Sequence, residues 1–288
     1  MTHPQPGPGV RPDPPAGARN LVIVVLDSLR HDTCVEARPR VLESLGEIEQ
    51  RFSYATWTAP SHYNLMMGLL PHVAPAATLA SAYYRQEYDR LAHRLGVDSL
   101  GFAQLLPDLF LPTLLRQHLG YITNAYVSMP VLNPHTVLNR DFDRYELMPH
   151  HHDLPGMLSR LRWSDSRPNF HLLNVGETHY PYVYTDDDGS DLPHISGLHG
   201  TVKRIGDKDD STAFFSETEL AELRNRQVRS VGYVDQLLEG LLDAAPPGTW
   251  IVVTSDHGEL FGEDGYFGHG PVWHEKVLQV PFVEGLRR

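Results

Sequence analysis

Three short segments carry side chains able to hold a cation or move a proton: Leu26-Asp27-Ser28, Gly176-Glu177-Thr178-His179 and Thr254-Ser255-Asp256-His257-Gly258. In the last, a carboxylate and an imidazole on adjacent residues form a donor pair that suits a divalent metal such as Zn²⁺ or Mn²⁺. Gly258 would allow a sharp turn beside that pair, and Thr254 and Ser255 could hold its ligands from behind. Asp27 alone is ambiguous, because an Asp directly after a strand is as often the N-cap of the next helix.

A fourth segment, Thr58-Ala59-Pro60-Ser61-His62, poses a separate question. Thr58 precedes a stretch of helical spacing whose Pro60 suits a first turn, which puts its hydroxyl at the positive end of a helix. The local pattern favours a plain N-cap. A nucleophilic role needs a lowered hydroxyl pKa, which a metal held by Asp27, Asp256 and His257 would supply.

These segments need elements that bring them together. Residues 21–26, about 170–175 and 250–254 are continuous apolar runs rich in β-branched side chains. Such runs read as strands buried on both faces of a parallel sheet. In open α/β sheets ligands sit beyond the carboxyl ends of the strands, so the three segments can converge on one edge. Residues 38–51, 59–71 and much of 79–119 have helical spacing, while 120–128 and 276–285 read as further strands. Residues 216–245 form a long amphipathic helix opened by a Ser216–Glu219 capping box. Strands alternating with helices predict an α/β three-layer sandwich around a mostly parallel central sheet.

The Pro- and Gly-rich residues 1–19 read as a disordered tail, 20–288 as a single domain, and 183–215 as a polar loop or lid. A formal net charge of −12 argues against sequence-independent binding to nucleic acid or to an anionic membrane. One cysteine, Cys34, excludes an intramolecular disulfide. With no signal-peptide pattern and no apolar run near the roughly 20 residues that span a bilayer, the expectation is a cytoplasmic enzyme. Oligomeric state is left open.

The segments "NLVIVVLDSLRHDT", "TWTAPSHYNLMMGLLPH", "ETHYPY" and "TSDHGELFGEDGYFGHGPVWHEKVLQVPF" resemble the sulfatase branch of the alkaline phosphatase superfamily, in order and approximate spacing, over most of residues 20–283. The resemblance implies an alkaline phosphatase-like core and a metal-dependent enzyme that cleaves or transfers phosphate, phosphonate or sulfate esters through a covalent intermediate. It makes Asp27, Asp256 and His257 metal ligands and Thr58 both nucleophile and ligand. His269 falls at a cationic or metal-binding position near the anionic group, and His179 at a position that contacts the substrate or leaving group.

Two departures shape the expectation. Sulfatases carry a Cys or Ser nucleophile oxidised to formylglycine, and Thr58 cannot give that aldehyde, which disfavours ordinary sulfatase chemistry. Ser28 stands where sulfatases usually place a second Asp, which weakens a Ca²⁺ site. The expected activity is hydrolysis of a small anionic phosphate or phosphonate ester through phospho-Thr58, with one divalent metal, Zn²⁺ or Mn²⁺. A second metal could draw on Glu177, His179, His269 or His274. A phosphotransferase acting on a small biosynthetic metabolite is one alternative, and a non-catalytic metal- or anion-binding relative is another. The run His150-His151-His152-Asp153 reads as a solvated loop, Cys34 as a small side chain at the site edge, and the Tyr180/Tyr182/Tyr184 alternation as packing.

Overall fold

The computed structural model describes residues 19–73, 84–97, 110–184, 203–204, 215–270 and 272–288. In chain order the elements are β1 (Leu21–Leu26), α1 (His31–Ala37), α2 (Arg40–Leu45), β2 (Glu49–Phe52), α3 (Thr58–Met66), α4 (Tyr84–Leu95), β3 (Ile122–Val127), β4 (Arg144–Leu147), α5 (Leu154–Arg160), β5 (Asn169–Val175), β6 (Lys203–Arg204), α6 (Glu217–Ala244), β7 (Trp250–Thr254), β8 (Leu260–Phe261), β9 (Tyr266–Gly268), α7 (Glu275–Leu278) and β10 (Gln279–Leu286). Seven strands form the central sheet in the order β2-β10-β7-β1-β5-β3-β4. β1 pairs in parallel with β5 and β7, while β10 runs antiparallel to both its neighbours. A second sheet of three short strands, β6-β9-β8, lies apart from it.

The period-2 geometry of β1 explains the layers. Leu21, Ile23 and Val25 face a core that includes Leu65 and Met66 of α3 and Leu91 and Leu95 of α4. Val22, Val24 and Leu26 face the opposite core, with Cys34 of α1, Leu42 of α2, Met157 of α5 and Val231 and Val234 of α6. Helices thus cover both faces of a mostly parallel sheet, the three-layer α/β architecture expected from the sequence. The capping box is present: Ser216 Oγ accepts from Glu219 N–H and the Glu219 carboxylate accepts from Ser216 N–H.

Residues 38–51 are not one helix. The helix ends at Leu45 with Gly46 as C-cap, and Glu49–Phe52 becomes the edge strand β2, paired with β10. Pairing with a distant strand overrides the local helical spacing there. Gly46 also lies so close to β10 that a β-carbon would come 2.8 Å from the Glu284 carbonyl oxygen. Most of the polar stretch 183–215 and all of the tail up to residue 18 lie outside the described residues. No helix among the described residues is long and apolar enough to cross a membrane.

Candidate active site

β7, β1 and β5 are neighbours in the sheet, with Leu26 level with Val175 and Val25 level with Thr254. The residues that follow each strand therefore emerge on one edge, and the three predicted segments meet there. Asp27 N–H donates to the Val175 carbonyl at 2.9 Å, which carries the parallel ladder one step beyond the strands.

Ligand atoms of Asp27, Asp256 and His257 all lie within 4.8 Å of one another, and all three residues are buried. His257 Nδ1–H donates to the Gly258 carbonyl at 2.9 Å, which leaves the Nε2 lone pair toward the carboxylates. Nε2 stands 3.4 Å from Asp256 Oδ2 and 4.0 Å from Asp27 Oδ1. Asp256 Oδ1 accepts from the backbone N–H groups of Ser28 (3.1 Å) and His257 (3.0 Å). Its Oδ2 is buried with no hydrogen-bond partner. Asp27 Oδ1 accepts from the Ser28 hydroxyl at 3.2 Å, and Oδ2 from Asn174 Nδ2 at 2.9 Å.

The electrostatics point the same way. Burial, then the charge of Asp256, pushes the Asp27 carboxyl up. Burial lifts Asp256 to about 7, and burial with His269 nearby takes His257 down to about 3. Two carboxyls packed around a neutral imidazole and an orphaned oxygen cannot hold their charges unaided; a cation offsets that cost. One nitrogen and several carboxylate oxygens converging at this range fit a divalent metal.

Thr58 is the first residue of α3; the N-cap is Trp57, which makes no side-chain capping bond. The local N-cap expectation for Thr58 is thus not met. Its hydroxyl lies instead 3.3 Å from His257 Nε2. The side chain that looked like a helix cap is turned into the cluster.

The rings of His257 and His269 have centroids 4.2 Å apart, and those of His269 and His179 are 5.3 Å apart. His269 Nδ1 lies 3.1 Å from Glu259 Oε1 and 3.5 Å from Ser28 Oγ. The other oxygen of Glu259 accepts from the Tyr182 hydroxyl. Burial pushes Glu259 up and His269 well below its ordinary value. His179 Nδ1–H donates to the Tyr180 carbonyl at 2.9 Å.

Other candidates go elsewhere. Glu177 Oε1 accepts from Leu154 N–H at 2.8 Å at the start of α5, so this carboxylate serves a helix end. His274 is the N-cap of α7 and lies 3.5 Å from Asp264. Thr254 Oγ1 donates to the Pro281 carbonyl, away from the cluster, whereas Ser255 Oγ accepts from Leu29 N–H at 3.0 Å and donates to the His257 carbonyl at 2.7 Å. Gly258 is required by a close approach, since a β-carbon would meet the Lys276 carbonyl oxygen at 2.2 Å. His150, His151 and His152 are exposed, as a solvated loop should be. Cys34 lies in the core beneath β1, its thiol pushed up to about 12 by burial. Tyr182 is buried in a small cluster with Phe261 and Phe267, and Tyr180 packs against it. Asn174, Glu259, His62 and Gln227 escaped the sequence reading. Glu259 and His62 had a signal, as the last residues of Ser-Asp-His-Gly-Glu and Thr-Ala-Pro-Ser-His.

The family model described as Sulfatase matches residues 154–283. No curated protein matches the chain. Among solved structures, the soluble domain of lipooligosaccharide phosphoethanolamine transferase A from Neisseria meningitidis is similar at 16% identity and a TM-score of 0.56, covering 96% of this chain and 79% of that one. The zinc complex of the C-terminal periplasmic domain of EcEptC from Escherichia coli is similar at 14% identity and a TM-score of 0.54, covering 93% and 73%. A protein in the alkaline phosphatase superfamily from Vibrio parahaemolyticus aligns at 15% identity and a TM-score of 0.50, covering 94% and 62%. These likenesses are of fold, and the family match adds His179, Asp256, His257 and His269 within its span. The Sulfatase match takes in 130 of the 288 residues, and the likeness of fold extends over 93–96% of the chain.

Proposed function

We propose that the protein is a divalent-metal-dependent enzyme that cleaves a phosphate or phosphonate ester through a covalent phospho-Thr58 intermediate. The observation that carries this reading is the Thr58 hydroxyl, 3.3 Å from His257 Nε2 at the start of α3, beside the buried Asp27, Asp256 and His257. A Zn²⁺ or Mn²⁺ ion held by these three residues, with Thr58 beside it, would supply Lewis-acid charge that lowers the hydroxyl pKa and offsets the phosphoryl oxygens.

The chain's own groups do the rest. Thr58 Oγ1 attacks phosphorus as the bond to the leaving-group oxygen breaks, its hydroxyl proton passing to solvent and the departing oxygen taking one up to leave as the alcohol, and the positive end of α3 lies under the developing charge. Glu259 Oε1, 3.1 Å from Nδ1, orients the His269 ring so that its Nε2 edge would face a phosphoryl oxygen. His179 uses Nδ1–H on the Tyr180 carbonyl, so its Nε2 lone pair can take the proton of the water that releases phosphate from Thr58.

A second reading replaces that water with an alcohol acceptor. It draws support from the phosphoethanolamine transferases among the similar structures. The experiment measures bound metal, then turnover of aryl phosphate mono- and diesters, an aryl phosphonate ester and an aryl sulfate, with and without alcohol acceptors. Thr58→Ala should abolish turnover while metal is retained, and intact-mass analysis of a quenched reaction should show one phosphoryl group on Thr58. Unchanged turnover in Thr58→Ala would sink the proposal. No turnover by the unsubstituted protein with any ester or acceptor would favour a binding role.

A further inference from the structure

Gln227 sits midway along α6, in a stretch with no recognisable motif, and is fully buried. Its planar head makes three contacts. Nε2 donates to the Ser28 carbonyl at 3.0 Å and to the Thr178 carbonyl at 3.2 Å, while Oε1 accepts from the Thr33 hydroxyl at 2.7 Å. Ser28 directly follows Asp27, and Thr178 directly precedes His179. One side chain therefore ties together the two turns that carry those site residues.

The turn after Asp27 needs such a grip. Ser28 has φ +61°, a left-handed conformation that costs a residue with a β-carbon on the order of 1 kcal/mol or more. Both peptide units around it are fixed at both ends. In the first, the Asp27 carbonyl accepts from the Thr178 hydroxyl at 2.8 Å and Ser28 N–H donates to Asp256 Oδ1 at 3.1 Å. In the second, the Ser28 carbonyl accepts from Gln227 and Leu29 N–H donates to Ser255 Oγ at 3.0 Å. Only a carboxamide fills the role at 227, because it takes two donors and one acceptor on one planar head; Glu lacks the donors and Met lacks all three.

We propose that Gln227 is a positioning residue for the metal cluster: it holds the Asp27–Ser28 turn against the Thr178–His179 turn and so sets where Asp27 stands relative to Asp256 and His179. The proposal rests on Asp27, Asp256 and His257 holding the metal. Groups behind metal ligands typically change metal affinity or activity by about 10–100-fold when removed.

The test measures Zn²⁺ affinity of the folded protein by competition with a chromophoric chelator, alongside Tm, kcat and KM. Gln227→Met is expected to weaken Zn²⁺ binding at least tenfold and lower kcat at least tenfold, with KM within twofold. Asp235→Asn is the control for a purely structural effect. Asp235 lies two turns further along the same helix, is also buried, and accepts from Val41 N–H (3.1 Å) and Leu42 N–H (3.0 Å) at the start of α2. It should lower Tm while leaving Zn²⁺ affinity within twofold. Folded Gln227→Met with unchanged affinity, or an equal loss in Asp235→Asn, would overturn the proposal. If Gln227→Met does not fold, Thr33→Val, which removes the donor to Gln227 Oε1 together with a 3.1 Å contact to the Arg30 carbonyl, should weaken binding about threefold; unchanged affinity there overturns it equally. An unsubstituted protein that takes up no Zn²⁺ refutes the metal-site reading itself, an outcome distinct from a variant that binds as well as its parent.

Discussion

His62 Nδ1 donates to the carbonyl of Thr58 at 2.8 Å, so the residue one helical turn downstream holds the peptide of the proposed nucleophile. The same nitrogen stands 3.7 Å from Asp256 Oδ2. Burial lowers the His62 pKa, which keeps the ring neutral beside the cluster. The start of α3 is thus pinned through main chain, independently of the Thr58 hydroxyl.

Thr58 variants should therefore separate chemistry from folding. Since Thr58 is not the N-cap, Thr58→Ala should change stability by less than about 1 kcal/mol. It should lower kcat at least a thousandfold, while Thr58→Ser keeps kcat within about tenfold. Denaturant melts and steady-state kinetics on the same preparations check both halves. A large stability loss in Thr58→Ala would contradict the structural role assigned here.

Asp256 offers a test of the cluster without substrate. In the metal-free protein burial holds its carboxyl at about 7, above the ordinary 3.8. A raised carboxyl binds its proton more tightly in the folded chain. The stability it contributes is full at low pH and is lost as pH rises from about 4 to about 7. Metal-free Asp256→Asn should gain stability relative to the metal-free parent across that window, by a few kcal/mol. At about 1,000 times its Kd, Zn²⁺ should stabilise the parent by about 4 kcal/mol at pH 7.5 and the variant hardly at all. A flat difference curve, or an unaltered metal effect in the variant, would count against the assignment.

Glu259→Gln removes the carboxyl that faces His269 Nδ1 at 3.1 Å but keeps its volume. We expect kcat to fall about 10- to 100-fold with KM little changed. The loss should be larger for alkyl than for nitrophenyl leaving groups, because a poor leaving group needs more help as charge develops. Equal losses across a leaving-group series would show that Glu259 only supports the fold.

His171 gives a stability prediction away from the site. It sits on β5, its Nε2–H donating to the Arg162 carbonyl at 3.1 Å, and burial takes it down to about 4. A lowered imidazole stays neutral in the folded chain while the unfolded chain protonates near 6.5. Its contribution is therefore full above that value and is lost as pH falls toward 4. His171→Gln, which keeps a donor for Arg162, should erase on the order of 2–3 kcal/mol of the parent's loss between pH 7 and pH 4. Parallel melting curves for the two proteins would refute it.

The fold was legible where one physical cause dominated. Val22, Val24 and Leu26 against Leu21, Ile23 and Val25 mark a strand buried on both faces, and the structure uses both faces. Asp27, Asp256 and His257 were legible for the same reason, as polar residues placed directly after such strands. Residues 49–51, within the helical spacing of 38–51, form a strand instead because their pairing partner, β10, lies at the far end of the chain, beyond the reach of local spacing. Asn174 and Gln227 left no trace at all. An amide on a buried strand or helix looks like any other until the carbonyls and carboxylates around it are known.

β2 has one further consequence. Among the described residues its strand partner in the central sheet is β10, with a single bridge from Phe52 to His72 on the other side, and β10 follows the segment that supplies Asp256 and His257. During synthesis β2 leaves the ribosome early and then waits, with the edge that faces β10 unpaired, for almost the whole of the remaining chain. At translation speeds of about 5–20 residues per second that wait lasts on the order of ten seconds or longer. The exposed interval falls on a strand whose sequence, Glu49-Gln50-Arg51-Phe52, is largely charged or polar. Such side chains discourage a stray strand from docking before its rightful partner arrives.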